Sequence, residues 1–319
     1  MNAGAPARAA APAVEPVVGA VGDRPDSLDD PAAGPTLSPS RASDFMTCPL
    51  LFRFRTIDRL PEPPSHAATR GTVVHAVLER LFDLPPGERT IRHATAMVGP
   101  LWQQLLDAEP DLATLFADDQ DGSALTEWLS GAEELVRRYF TLEDPRRLEP
   151  AERELYVETR LDSGLRLRGY VDRVDRASAT GDLRVVDYKT GKAPPAGFEQ
   201  RAMFQMRFYA LVLWRLHKRV PRLLQLVYLG SGEVLRYEPD EADLLATERK
   251  VDALWRAIER AARTGDWRPS PSRLCDWCAH QALCPSWGGT PPPLPELEAT
   301  GSAAPDDEAP SPRTSPVDV

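Results

Sequence analysis

Three consecutive segments, RELYVETRLD, LRLRGYVDRVDR and DLRVVDYKT, carry the two-residue period of β-strands and are separated by glycine-containing turns. Helical periodicity lies on both sides. Upstream, RGTVVHAVLERLFDLPP repeats Val74, Leu78 and Leu81 at helical spacing and ends at Pro85-Pro86. Two more helical stretches follow, at about 90–108 and 122–140. Downstream, FEQRAMFQMRFYALVLWRLHKR reads as a long helix. LLQLVYLG and GEVLRYEP read as a hairpin around Ser231-Gly232. A last long helix is capped by Asp240 and stopped by Gly265. Helices, three strands, a helix, two strands and a helix predict one α/β domain: a small mixed sheet flanked by helices, with an N-terminal helical part.

Residues 1–35 are rich in Ala, Pro and Gly, and 289–319 form an acidic Pro-rich stretch; both are expected to be disordered tails around a domain at 36–288. They also explain the net charge of −10: the tails hold −3 and −5, leaving −2 on a middle section with 35 Lys and Arg. Acidity therefore does not exclude a nucleic-acid partner. No apolar run is long enough to span a bilayer. A cytoplasmic location is the expectation, and there the four cysteines would be reduced and suited to metal.

VVDYKTGK is the segment richest in chemistry. Asp187 and Lys189 are two apart on a strand and share a face. Alone, that pair is usually a simple ion pair. However, GYVDRVDR places Asp172 on the preceding strand, and two acids on neighbouring strands suit Mg²⁺ or Mn²⁺, with a lysine to orient water. Gln205 and Tyr209 are one helical turn apart, and His75 lies on a helix; taken singly, each reads as an ordinary packing residue. Arg53, Arg55, Arg59 and Arg70 gather near Phe52 and Phe54, a pattern that suits phosphates and bases or a solvated basic face over a core strip. His66, His93, His217 and His280 have no motif around them.

Cys275, Cys278 and Cys284 are spaced by two and five residues, and Cys48 stands 227 positions before the trio. All four can serve one site, of Zn²⁺ or of an iron–sulfur cluster. Gly191-Lys192 is followed by alanine, so the chain has no phosphate-cradling loop and is not an ATP-driven helicase itself.

The ordered set GTVVHAVLE, GYVDRVDR, VVDYKTGK and QMRFY resembles the RecB-type nuclease family of the PD-(D/E)XK superfamily across about 36–288. The resemblance implies a restriction-endonuclease-like core and a metal-dependent deoxyribonuclease, an exonuclease rather than an endonuclease, working in DNA repair or recombination on single-stranded ends. It implies His75, Asp172, Asp187 and the Tyr188 carbonyl as metal ligands. Lys189 would position the attacking water, and Gln205 and Tyr209 would contact the strand or brace the site. Relatives carry a glutamate on the strand before the first aspartate; Glu154 is preferred over Glu158. Asp175 is the rival of Asp172, but the family pattern uses the aspartate three residues after the glycine. The three-plus-one cysteines resemble the 4Fe–4S staple of helicase–nuclease subunits and CRISPR-associated nucleases, with Zn²⁺ as the alternative occupant. A separate helicase subunit is compatible with all of this. The rival reading is a catalytically silent DNA-binding scaffold that keeps the fold and the metal staple.

Overall fold

The computed structural model describes residues 35–195 and 197–295, so the tails expected at both ends lie almost wholly outside the described residues. The first elements are a two-residue strand β1 (Thr36–Leu37), helix α1 (Pro39–Thr47) and a single turn α2 (Pro49–Phe52) that widens into a π-helical turn over Arg53–Ile57. Ser38 caps α1 by accepting the Arg41 N–H, and Pro39 occupies its first turn, where no amide donor is needed. Next come α3 (His66–Leu81), α4 (Ile91–Ala96), α5 (Val98–Ala108) and α6 (Ser123–Leu142). The helix expected over 90–108 is thus two helices, broken at Met97.

The three expected strands are β2 (Pro150–Arg160), β3 (Arg166–Arg176) and β4 (Leu183–Lys189). Helix α7 (Glu199–His217) then crosses over to β5 (Leu223–Tyr228), which runs parallel to β4. Strand β6 (Glu233–Tyr237) closes a hairpin with β5, and α8 (Glu241–Thr264) follows. Asp240 forms a capping box with Asp243, and Gly265 ends α8 in a left-handed conformation. The sheet runs β1-β3-β4-β5-β6, with β2 also paired to β3. The antiparallel β2–β3–β4 meander and the parallel β4–β5 pair make it mixed, as expected.

Neighbouring residues of β4 serve different cores. Val185 packs with β1, α2, α7 and α8 in a cluster that includes Phe52, Phe54, Met206 and Phe208. Val186 and Tyr188 pack with α3, α4, α5 and α6 in a cluster that includes Val74, Trp102, Trp128 and Tyr139. A strand buried on both faces anchors its end firmly, and Asp187 and Lys189 stand at that end. Gly230 locks the loop after β4: a Cβ there would lie 2.4 Å from the Gly191 carbonyl oxygen.

In the basic–aromatic strip, the two phenylalanines turn inward and Arg53 and Arg55 meet local acids. Phe52 and Phe54 are buried in the core. Arg53 is buried too, paired with Asp58 at 2.9 Å and donating to the Pro292 carbonyl. Arg55 is held between Asp44 and Glu62, 2.7 Å from each. The helical and π-helical winding turns the apolar positions inward and leaves these arginines to local acids.

Candidate active site and cysteine pocket

Helix α3 lays His75 against the edge of β4. Its Nε2 lies 2.9 Å from the Tyr188 carbonyl oxygen, and its Nδ1 lies 3.4 Å from Asp172 Oδ2. The Tyr188 N–H donates to the same Asp172 oxygen at 2.7 Å. The His75 ring also packs edge-on against the Tyr188 ring. Burial holds the His75 pKa below its ordinary value, which favours the neutral, ligating imidazole.

Glu154 completes the cluster. Ligand atoms of His75, Glu154 and Asp172 all lie within 4.8 Å of one another. The β2–β3 register sets Glu154 opposite Asp172, between the pairs Arg153–Arg173 and Leu155–Val171. Its φ of 44° is left-handed, a strained conformation for a non-glycine residue. Glu158 is elsewhere, bound to the Tyr156 hydroxyl at 2.6 Å and to Arg166 at 3.3 Å. Asp175 is engaged by Arg173 at 3.1 Å and Arg184 at 2.7 Å, outside the cluster.

Asp187 is 1% exposed. Its Oδ1 accepts the Gln205 amide at 2.8 Å, and Lys189 Nζ stands 2.6 Å from Oδ2 without hydrogen-bond alignment. Lys189 donates instead to Gln205 Oε1 at 2.9 Å, and the Gln205 amide also reaches the Tyr209 hydroxyl at 3.3 Å. Burial, and then the neighbouring Asp187, raise the Asp172 carboxyl well above the usual range. Burial raises Glu154 as well, with Glu79 and Asp187 adding to the effect. Carboxylates that repel one another, one with an unfilled buried oxygen, have the chemistry of a divalent-cation site. The structure therefore brings together His75, Asp172, Asp187, Tyr188, Lys189, Gln205 and Tyr209. A cavity of about 660 Å³, bordered by Gly71, His75, Glu79, Glu154 and Tyr170, opens onto His75 and Glu154.

Behind the site runs a buried charge network that sequence reasoning missed. Arg173, next to Asp172, is 1% exposed. It donates to both oxygens of Glu143, at 2.8 and 2.9 Å, and to the Tyr188 hydroxyl. Nothing in the sequence DRVDR marks Arg173 as buried; that follows from the elements that pack over it.

Cys48 and the distant trio Cys275, Cys278 and Cys284 line one pocket with Leu50, Phe54 and Leu274. The Ser270 N–H donates to Cys48 Sγ at 3.4 Å and the Ser272 N–H to Cys275 Sγ at 3.3 Å. Burial raises the Cys278 thiol. An amide at His280 opposes that, and the other three sulfurs are close enough to add to it. His280 itself is buried, 2.8 Å from Glu62 and packed on Phe54.

Residues 36–285 match the sequence pattern of the PD-(D/E)XK nuclease superfamily. The chain belongs to that superfamily. PD-(D/E)XK nucleases use divalent metals, in keeping with the His75–Glu154–Asp172 cluster. The chain is 28% identical over 280 residues to the Gene 69 protein of Mycobacterium phage D29, covering 79% of this chain and 97% of that protein. It is 29% identical over 135 residues to the Gene 69 protein of Mycobacterium phage L5, covering 41% of this chain and 43% of that protein. A candidate exonuclease from Eubacterium rectale, known from a crystal structure, shares the fold with a TM-score of 0.51 at 14% identity, over 86% of this chain and 97% of that one. The PD-(D/E)XK fold is thus a mixed sheet flanked by helices, and no described helix is long and apolar enough to cross a membrane.

Proposed function

We propose that this PD-(D/E)XK nuclease is a RecB-type, metal-dependent deoxyribonuclease that trims DNA ends as an exonuclease in repair or recombination. The observation that carries this reading is the convergence of His75, Glu154 and Asp172 within 4.8 Å, beside the Asp187–Lys189–Gln205 chain. His75, Glu154, Asp172, Asp187 and the Tyr188 carbonyl would hold Mg²⁺ or Mn²⁺. A divalent cation held by these residues would stabilise charge on the phosphate and acidify a bound water. Lys189 orients the attacking water and offsets the developing negative charge. Gln205 holds Lys189 and Asp187 in register through one amide group. Water's oxygen forms a bond to phosphorus as the bond to the leaving sugar oxygen breaks, giving a 5′-phosphate and a 3′-hydroxyl.

We propose that the cysteine pocket holds a structural 4Fe–4S cluster, on the ground that all four cysteines line it. Backbone amides directed at the sulfurs stabilise thiolates. The anchors lie on either side of the nuclease motifs, so the group would join the start of the domain to its end.

The test is anaerobic purification followed by cleavage assays with Mg²⁺ and Mn²⁺ on single- and double-stranded ends. Metal-dependent release of nucleotides by the native protein is expected, with none from Asp187→Ala or Lys189→Ala. Unchanged cleavage by folded Asp187→Ala overturns the site. About four irons per chain and a broad absorption near 400 nm are expected. About one zinc per chain in a colourless sample overturns the cluster.

A further inference from the structure

A second cavity, of about 610 Å³, adjoins the catalytic centre. It shares Gln205 and Tyr209 with that centre, and Tyr170 with the cavity over His75 and Glu154. Gly169 makes the junction tight: a Cβ there would stand 2.8 Å from the Tyr209 ring and 3.4 Å from Pro39 Cδ. The start of α1 is thereby drawn against β3, and the cavity forms between them.

The wall chemistry is specific. Tyr156 and Tyr170 are cross-strand partners with ring centroids 5.3 Å apart, and both are partly exposed. Glu158 fixes the Tyr156 ring through its hydroxyl. The Tyr170 hydroxyl is buried with no hydrogen-bond partner, although the residue itself reaches solvent. Arg168, 7% exposed, and Arg41 supply positive charge to the same wall. Paired aromatic faces that reach solvent suit a base, and every base has a face that stacks.

We propose that this cavity is a nucleotide subsite for the strand being cut. One unpaired base lies against the Tyr156–Tyr170 pair. The inference rests on the nuclease reading above and names the residues that would seat an unpaired base of its substrate. A base in a duplex would have to leave its stack to enter.

The test pairs protein and substrate changes. Oligodeoxynucleotides carrying one abasic site are scanned at each position around the scissile bond. Tyr156→Ala is expected to raise KM roughly tenfold on the intact strand, the size that base stacking supplies. At one abasic position that penalty should fall below about twofold, while Tyr156→Phe should keep near-native KM on intact strands. A penalty of equal size on all abasic substrates, or no penalty, overturns the subsite. A binding arm stands independently of cleavage. A single-stranded oligonucleotide containing 2-aminopurine is added to Lys189→Ala protein in Mg²⁺. Fluorescence quenching is expected, and its loss in the Lys189→Ala/Tyr156→Ala double variant. Tyr156-dependent quenching without cleavage by native protein would sink the nuclease reading and support the subsite. Cleavage with Tyr156-independent quenching would do the reverse.

Discussion

The carboxylate centre and the cysteine pocket both gather side chains from distant parts of the chain, but they rest on different supports. The carboxylate centre sits on β2, β3, β4, α3 and α7, and the strands and helices that carry it are tied into two buried cores. The cysteine trio sits on short 3-10 turns at Arg273–Trp277, Gln281–Leu283 and Pro285–Trp287, none of which contains a buried residue. Leu274, Trp277 and Trp287 are exposed there. The scaffold therefore imposes geometry on the carboxylates, even against their mutual repulsion. The cysteine turns have little apolar burial of their own, so a bound group would contribute much of their order. Contacts such as the Phe52–Trp267 stack and the Arg53–Pro292 hydrogen bond supply the remainder.

That contrast predicts opposite signs for stability. Asp172→Asn should cut cleavage at least about a thousandfold by removing a ligand charge. The same change should raise the melting temperature of metal-free protein, by the equivalent of about 1 kcal/mol, because a buried repulsion is removed. Asparagine can still accept the Tyr188 N–H. Thermal melts in EDTA beside cleavage rates check both halves; a fall in Tm would show that the carboxylate is structural. Cys48→Ser should lower stability, on the order of 3–5 kcal/mol for opening so long a loop. Activity should fall only as folded protein is lost. Limited proteolysis should then cut within residues 37–60. An unchanged melt and unchanged proteolysis would remove the clip from the argument.

The same contrast explains what could be read from sequence. Strands β3 and β4 were legible because residues two apart share a face, which also placed Asp187 with Lys189. Helix α8 was legible from its cap and its terminal glycine. Glu154 and Glu158 also share a strand face, so periodicity cannot separate them. The register of β2 against Asp172 does, and register is a long-range property. The burial of Phe54 and of Arg173 was not legible for a related reason: it depends on which elements dock over them. The convergence of four cysteines was readable only as a count and a spacing.

A smaller effect concerns the brace behind the carboxylates. Burial pushes the Glu143 carboxyl up, but the Arg173 guanidinium more than offsets this, and its pKa lies below the usual 4.5. A depressed folded pKa contributes stability above the unfolded value and loses it as pH falls through the folded value. Glu143→Gln should therefore destabilise at neutral pH, near the lower end of roughly 3–5 kcal/mol, since Asp175 still faces Arg173. The gap between native and variant stability should shrink below a pH of about 4.5. Urea denaturation across that range measures it, and a gap independent of pH would show that the pair's charge is not what stabilises β4.

The smallest effects lie on α7, where Gln205 and Tyr209 separate bracing from chemistry. Gln205 hydrogen-bonds both Asp187 and Lys189, so Gln205→Ala frees the lysine from its orienting acceptor and leaves Asp187 Oδ1 without its amide donor. A loss of about tenfold to a hundredfold in kcat is expected, with a melting temperature close to native. The Tyr209 hydroxyl accepts the Gln205 amide at 3.3 Å, while its ring lies beside Gly169. Tyr209→Phe keeps the ring and removes one neutral hydrogen bond of about 1 kcal/mol, so cleavage should fall only a few-fold. The two changes together should cost little more than Gln205→Ala alone, because the tyrosine acts through the glutamine. Fully additive losses in kcat would mean that the Tyr209 hydroxyl meets the substrate directly. A large drop in melting temperature for Gln205→Ala, with specific activity intact, would make that residue a packing element and leave Lys189 without its positioning partner.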